Sequence, residues 1–223
     1  MTAPENIQRA QKYPQLSRRT VLGATAGGLL LGGVTVPTAA HAAPAPRCYT
    51  RTEWSARPPK SPTQVIGKPD HIVIHHTASP NVTDYSLAAA YKVQHWIQDL
   101  HMDTNGWIDI GNQLTISRGG FLMEGRSKSL SSINNGQNVL GAQTANNNSH
   151  TIGIEHEGIY VSEDVPVALF DMSVLTCAWL CTKYGLDPHT AIVGHRDYNT
   201  TQCPGDVFYA RLPELRDRVA AVL

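Results

Sequence analysis

Three residues near the ends of predicted strands have the types and spacing of a zinc site. His75 follows the apolar run 72–74, His195 follows residues 192–194, and Cys203 lies eight residues further along the chain. Two imidazoles and one thiolate, with a fourth position open to water, form an accepted ligand set for catalytic Zn²⁺. Zinc in such a site lowers the pKa of a bound water to about 7. The chain has ten histidines, so composition alone leaves a structural role open for any one of them.

The strands that must position these residues are short and rich in β-branched side chains. Strands are predicted at residues 70–76, 151–159 and 191–194. Residues 114–117 and 121–124 flank a glycine turn and are predicted to pair as a hairpin.

Predicted helices alternate with these strands. One is capped by Thr83 and runs to Leu100, a second begins at Pro166 and stops at Gly185, and a third covers 207–223 with an interruption at Pro213. The Asn- and Ser-rich stretch 129–150 is predicted to be a long surface loop. This alternation predicts a single α/β domain with a central mixed β-sheet flanked by helices.

The first 42 residues have the order of a bacterial export signal. Arg18 and Arg19 form a twin-arginine pair, an uncharged stretch rich in Gly and Ala follows, and small residues surround position 42. We expect residues 1–42 to be a cleaved twin-arginine-type signal peptide, and the protein to be secreted to the extracellular space or the cell wall. The alternative is an uncleaved membrane anchor, but the stretch is shorter than the roughly 20 apolar residues that span a bilayer.

The rest of the chain is predicted to divide into two parts. Residues 43–69 are rich in proline and are expected to be an N-terminal covering segment, and residues 70–223 are expected to be the catalytic domain. The formal net charge is zero, so charge makes no case for nucleic acid or an anionic membrane as a partner. We expect a monomer with no stable membrane association once the signal has been removed.

The remaining cysteines are Cys48, Cys177 and Cys181. Cys177 and Cys181 are four residues apart on a predicted helix, where they share a face but are poorly placed to pair with each other. In an exported protein, one of them is predicted to form a disulfide with Cys48 and to hold the N-terminal segment to the domain. The alternative is that all three are free, buried thiols.

Seven short blocks follow one another along nearly the whole region after the signal. They are Trp54-Ser55-Ala56-Arg57, Ile74-His75-His76-Thr77-Ala78, Gly106-Trp107-Ile108-Asp109-Ile110-Gly111, Glu124-Gly125-Arg126, Ile152-Gly153-Ile154-Glu155, Gly194-His195-Arg196-Asp197 and Cys203-Pro204-Gly205-Asp206. In these residues and in this order the chain resembles the family of peptidoglycan recognition proteins and type-2 N-acetylmuramoyl-L-alanine amidases.

The resemblance implies a substrate and a cofactor. It places the Zn²⁺ ligands of the family on His75, His195 and Cys203, and it implies peptidoglycan as the partner. The implied reaction is hydrolysis of the amide bond between N-acetylmuramic acid and L-alanine. The alternative is a module that binds peptidoglycan without cutting it, but family members of that kind typically lack a full ligand set, and this chain keeps all three residues.

Glu155 is the predicted general base. On its strand it shares a face with Gly153, which would leave room for substrate, and it matches the catalytic Glu of one branch of the family. Glu157, on the same face, is a rival. Many family amidases carry a Tyr after the Asp-x-Gly block, whereas this chain has Asn112. Asn112 is predicted to donate a hydrogen bond to substrate. Branches of the family that lack the Tyr are those that use the Glu, so this difference favours Glu155 as the general base.

Four further residues are assigned roles by the resemblance and by their chemistry. Thr201 lies two residues before Cys203 and is predicted to steady the oxyanion or the scissile carbonyl. Arg126 is predicted to meet carboxylates of the stem peptide, although a solvated salt bridge is the commoner role of a surface Arg. His101 is predicted to contact substrate or to pack, and Trp107 is predicted to be a packing residue.

Overall fold

A six-stranded mixed sheet lies at the centre of the computed structural model, which describes residues 43–223. Side by side, its strands are β1 (Cys48–Tyr49), β5 (Leu122–Glu124), β4 (Leu114–Ile116), β7 (Thr151–His156), β3 (His71–His76) and β8 (Ile192–Gly194). β4 and β5 are antiparallel, as the hairpin prediction required, and the other neighbouring strands of this sheet are parallel. The remaining two strands, β2 (Val65–Ile66) and β6 (Asn138–Val139), form a separate antiparallel pair. The predicted signal peptide lies outside the described residues.

Helices pack against this sheet through two apolar clusters. The larger cluster joins α3 (Val167–Tyr184) and α6 (Leu212–Ala220) to the isoleucines of β3 and β7. The smaller cluster joins α1 (Leu87–Asp99) to Trp54 and Met123. The shorter helices are α2 (Ser129–Asn134), α4 (Pro188–Ala191) and α5 (Asp206–Ala210), with a π-helical turn at Leu100–Thr104 and a 3-10 turn at His195–Asp197. The predicted α/β domain with a mixed sheet and flanking helices is therefore confirmed.

The ends of the two long helices follow from local chemistry. α1 begins after Ser86, three residues beyond the predicted cap, because the Ser86 hydroxyl accepts a hydrogen bond from the backbone N–H of Ala89. α3 ends at Gly185, which adopts a left-handed conformation with φ of 67°. Glycine is the residue that takes this conformation without a steric penalty, so the predicted stop is confirmed.

The stretch 129–150 differs from its prediction as a surface loop. It contains α2 and β6, and its Gln143 and Thr144 are buried. Its amide side chains bond to the backbone instead of to water: the Asn148 carbonyl oxygen accepts from the N–H groups of Gln143 and Thr144, and Asn138 donates to the carbonyl of Thr151. Polar composition predicted exposure, but these internal hydrogen bonds allow the segment to be buried.

The predicted disulfide is wrong, because all four cysteines are free and buried. Cys48 lies on β1 at the edge of the sheet, whereas Cys177 and Cys181 lie within α3, and all three are members of the larger apolar cluster. Burial raises the pKa of each of these thiols, which keeps them in the neutral, unreactive form. The N-terminal segment is instead held by backbone pairing of β1 with β5, so it is part of the sheet as well as a cover.

The described part of the chain, residues 43–223, holds no helix that is long and apolar enough to cross a membrane. The longest helix is α3, with 18 residues.

Two leucines of α3 provide a test of this packing. Leu180 is fully buried and Leu175 is 42% exposed. Leu180→Ala is expected to lower the free energy of unfolding by about 2–5 kcal/mol, because it removes buried methyl groups and leaves a cavity. Leu175→Ala, the same change on the same helix, is expected to cost well under about 1 kcal/mol. Urea unfolding followed by circular dichroism measures both, and equal losses would contradict the assigned face of α3.

Candidate metal centre and active site

His75, His195 and Cys203 converge at one end of the central strands. β3 and β8 are parallel neighbours with Ile74 opposite Gly194, so the residues that follow, His75 and His195, emerge at the same edge. Cys203 reaches them from the loop before α5. The ligand atoms of the three side chains all lie within 4.8 Å of one another, and Cys203 Sγ is 3.6 Å from His75 Nδ1.

Hydrogen bonds orient both imidazoles of this group. His75 Nε2 lies 2.6 Å from the side-chain carbonyl oxygen of Gln143, and His195 Nε2 lies 3.1 Å from that of Asn199. An amide oxygen can only accept a hydrogen bond, so each imidazole carries its proton on Nε2 and presents the lone pair of Nδ1. Metal-binding histidines are characteristically oriented in this way by a partner on the other ring nitrogen.

The protonation states of these groups bear on whether they fit a metal ion. Burial lowers the pKa of His75 well below its usual value and lowers that of His195, which keeps both imidazoles neutral, as a metal requires. Burial and the nearby Glu155 raise the pKa of Cys203, but its sulfur also accepts the backbone N–H of His76 at 3.3 Å, which favours the thiolate. Two neutral imidazoles and a sulfur match the donors that Zn²⁺ prefers, so the residues fit this ion.

Glu155 stands beside this group on β7. It is directly opposite His75 in the parallel register of β3 and β7, and its Oε1 is 4.0 Å from His75 Nδ1. Its side chain is 15% exposed, and its buried Oε2 has no hydrogen-bond partner. Burial raises the pKa of Glu155 to about 8. An unpaired carboxyl with such a pKa can exchange a proton near neutral pH.

A cleft of about 290 Å³ opens over these residues, and Thr201 and His101 line it. The Thr201 hydroxyl oxygen accepts the backbone N–H of Cys203 at 3.2 Å, so its own hydrogen is free to be donated. His101 Nδ1 accepts the backbone N–H of Gly111 at 3.1 Å, which places the ring proton on Nε2. Burial, with help from the charge of Arg126, lowers the pKa of His101 to about 4, so the ring is neutral. The full lining comprises His75, His76, Ala78, His101, Trp107, Ala142, Gln143, Glu155, His195, Thr201 and Cys203.

Comparison with known proteins shows the family of this chain. The family model described as N-acetylmuramoyl-L-alanine amidase, amidase-2, matches residues 66–206. The chain belongs to the amidase-2 family. This confirms the resemblance to peptidoglycan recognition proteins and type-2 amidases.

The relatives of this amidase-2 chain include proteins named as peptidoglycan-recognition proteins and proteins named as N-acetylmuramoyl-L-alanine amidases. Peptidoglycan-recognition protein LB of Drosophila melanogaster is 32% identical over 166 residues, 74% of this chain and 67% of the relative. An N-acetylmuramoyl-L-alanine amidase of Sus scrofa is 31% identical over 171 residues, 75% of this chain, and the matched part spans only 27% of that relative.

Solved structures of Drosophila protein LB share the fold. The wild-type protein superposes with a TM-score of 0.65 at 31% identity, over 74% of this chain and 92% of that one. A variant of the same protein, solved in complex with tracheal cytotoxin, gives the same values. Membership of the family therefore establishes the fold. It does not distinguish members that hydrolyse peptidoglycan from members that only bind it, so that distinction must be argued from the residues of the site.

Two residues of the amidase-2 domain that were predicted to bind substrate are not part of the lining of the cleft. Asn112 is fully buried, and its amide donates to the carbonyl of Leu114 and the hydroxyl of Thr115. Arg126 is buried as well and donates to the carbonyl of Ile110. Both side chains hydrogen-bond within the turn between the π-helical segment and β4, and their contact with substrate stays a prediction.

Gln143 and Trp107 are cleft residues that the sequence prediction missed. Gln143 came from a segment predicted to be a surface loop, and nothing in its local sequence indicates a buried partner for a histidine. Trp107 was predicted to be a packing residue, yet it lines the cleft and its ring stacks on His101 with centroids 4.6 Å apart. The space over Gly153, predicted to hold substrate, is filled by the Gln143 side chain, whose Cγ is 2.7 Å from where a Cβ at position 153 would lie.

The hydrogen bond from His75 to Gln143 is testable. Gln143→Leu is expected to weaken zinc binding about 10- to 100-fold, because it removes the acceptor that selects the metal-binding form of His75. Competition with a chromophoric chelator measures the affinity. Gln137→Leu is the matched control, because Gln137 is exposed and makes its hydrogen bonds through its backbone: its N–H donates to the carbonyl of Ser132, and its carbonyl accepts from the Tyr184 hydroxyl. Equal affinities of the two variants would show that Gln143 does not orient the ligand.

Proposed function

We propose that this protein is a zinc-dependent N-acetylmuramoyl-L-alanine amidase that hydrolyses the bond between N-acetylmuramic acid and L-alanine in peptidoglycan. The observation that carries this proposal is the convergence of a full His75, His195 and Cys203 set with the unpaired carboxylate of Glu155 in one cleft. A module that only recognised its ligand would have no need of a buried carboxylate without a partner, which costs free energy to maintain.

The proposed division of labour follows the contacts of each residue. Zn²⁺, when held by His75, His195 and Cys203, supplies a Lewis acid that polarises the scissile carbonyl and acidifies water. In its ionised form Glu155, which lines the cleft, accepts the proton of the attacking water and returns it to the nitrogen of the leaving alanine.

Two neutral donors complete the proposed site. The free hydrogen of the Thr201 hydroxyl stabilises the oxygen on which negative charge develops in the transition state. The Nε2–H of His101 donates to a carbonyl or hydroxyl of the substrate, and Trp107, stacked on His101, offers an apolar surface next to it. Neither group needs to change its protonation state during the reaction.

Peptidoglycan as substrate is supported by the family and by a relative. Drosophila protein LB has been solved with tracheal cytotoxin, a muramyl peptide from peptidoglycan. The alternative function is recognition of such fragments without cleavage, and the names of several relatives favour it.

Export by a cleaved twin-arginine signal is also part of the proposal. N-terminal sequencing of the protein recovered outside the cell tests it, and a mature chain starting near residue 43 is expected.

A digest of purified peptidoglycan tests the proposed reaction. Mass spectrometry is expected to find stem peptides with a new N-terminal alanine, and a chelator is expected to abolish their release. Cys203→Ser is expected to lose zinc and activity together, since a hydroxyl is a much poorer ligand than a thiolate. Zinc-loaded wild-type protein that binds peptidoglycan but releases no peptide would favour recognition instead.

Glu155→Gln separates the general base from the metal ligands. The amide is similar in size but cannot accept the proton, so turnover is expected to fall by about 10²- to 10⁴-fold while the zinc content stays unchanged. Glu157→Gln is the comparison variant. The Glu157 carboxylate accepts the backbone N–H of Arg118 at 2.8 Å and lies outside the lining of the cleft, so its loss is expected to leave most of the turnover. The reverse ranking would transfer the role to Glu157.

A further inference from the structure

A second group of metal-binding side chains lies at the opposite end of β3 from the catalytic cleft. Asp70 and His71 stand where β3 begins, and His150 immediately precedes β7. His71 Nδ1 is 2.6 Å and His150 Nδ1 is 2.7 Å from the same oxygen, Asp70 Oδ1. The three potential ligand atoms lie within 4.8 Å of one another. We propose that Asp70, His71 and His150 bind a second divalent transition-metal ion such as Zn²⁺, independently of the site formed by His75, His195 and Cys203.

The backbone holds these three residues in place before any ion binds. The N–H of Asp70 donates to the carbonyl of His150 at 2.9 Å, and His71 is paired with Thr151 in the register of β3 and β7. Tyr198 packs edge-on against both imidazoles, with centroids 6.0 Å from His71 and 5.7 Å from His150. Folding of the sheet therefore already orders the backbone of these ligands, which lowers the conformational entropy that is lost when an ion binds.

The His150 imidazole faces two oxygen atoms, one on each ring nitrogen. Its Nδ1 faces Asp70 Oδ1, and its Nε2 faces the side-chain oxygen of Asn147 at 3.3 Å. The Asn147 amide nitrogen donates to the carbonyl of Ala145, which fixes the orientation of that side chain. A neutral imidazole has one proton and cannot donate to both oxygens. A cation on Nδ1 resolves the conflict, because the proton then stays on Nε2 and is donated to Asn147.

The donor set selects the class of ion. Two imidazoles and one carboxylate suit Zn²⁺, Ni²⁺ or Cu²⁺, whereas Mg²⁺ and Ca²⁺ prefer oxygen donors alone. The three side chains are 34%, 64% and 37% exposed for His71, Asp70 and His150, so water can complete the coordination. Bonds of about 2.0 Å in a tetrahedral site place ligands about 3.3 Å apart, so the nitrogen–oxygen separations must open by about 0.6–0.7 Å. Exposed side chains can move that far.

The site formed by Asp70, His71 and His150 lies where the segment that carries Gln143 meets the start of β3. His150 ends the segment that carries Gln143, the partner of His75, and Tyr198 follows the catalytic ligand His195 by three residues. An ion bound here would join the end of that segment to the start of β3. The site lies on different residues from the proposed catalytic centre and does not depend on its activity.

Calorimetric titration of the untagged, chelator-treated full chain with zinc chloride tests the proposal. Two binding events are expected for wild-type protein. The double variant His71→Ala/His150→Ala and the single variant Asp70→Asn are each expected to lose one event, and Cys203→Ser is expected to lose the other. Magnesium chloride is expected to produce neither.

His189→Ala is the matched control, since His189 is an exposed histidine 3.8 Å from Asp217 with no second imidazole in its group. It is expected to keep both events. A single event in wild-type protein would overturn the proposal. Loss of both events in Cys203→Ser, or retention of both in Asp70→Asn and in the double variant with unchanged circular dichroism, would also overturn it. Failure of the amidase proposal would appear separately, as zinc binding without cleavage of peptidoglycan.

Discussion

The parallel register of β3 with its two neighbours sets the geometry of the cleft. In this register His75 lies opposite Glu155 on one side, and Ile74 lies opposite Gly194, the residue before His195, on the other. A slip of one residue would turn every side chain of β3 to the opposite face of the sheet. The buried isoleucines of β3 and β7 oppose such a slip, because it would remove them from the apolar cluster under α3. The same packing that stabilises the domain therefore determines which polar groups meet.

The end of the sheet that carries the cleft concentrates polar groups that burial would otherwise disfavour. His75, Gln143 and Cys203 are all buried, and each has a defined partner: His75 with Gln143, and Cys203 with the backbone of His76. Glu155 is the exception, since one of its oxygens is buried without a partner. Buried polar atoms in folded proteins are usually hydrogen-bonded, so an exception inside a cleft points to a group kept available for a ligand.

Much of the fold and the heart of the site could be predicted from the sequence, for reasons visible in the residues. Three elements were predicted from local signals. The apolar run before His75 indicated a central strand, the glycine turn indicated a hairpin, and Gly185 indicated the end of a helix. The convergence of His75, His195 and Cys203 followed from ordered family blocks. Gln143 could not be predicted, because its hydrogen bond with His75 joins residues 68 positions apart and leaves no periodic pattern. The burial of Asn112 and Arg126 could not be predicted either, because the order of motifs does not say which way a side chain points.

The close approach of Gly153 to Gln143 also bears on how this protein can change over evolutionary time. A methyl group at position 153 would lie 2.7 Å from the Gln143 side chain, so the glycine is as much a part of the environment of His75 as the glutamine is. Drift at either position is constrained by the other: a larger residue at 153 becomes tolerable only after position 143 has found another way to hold the imidazole. In a set of homologous sequences these two positions should vary together.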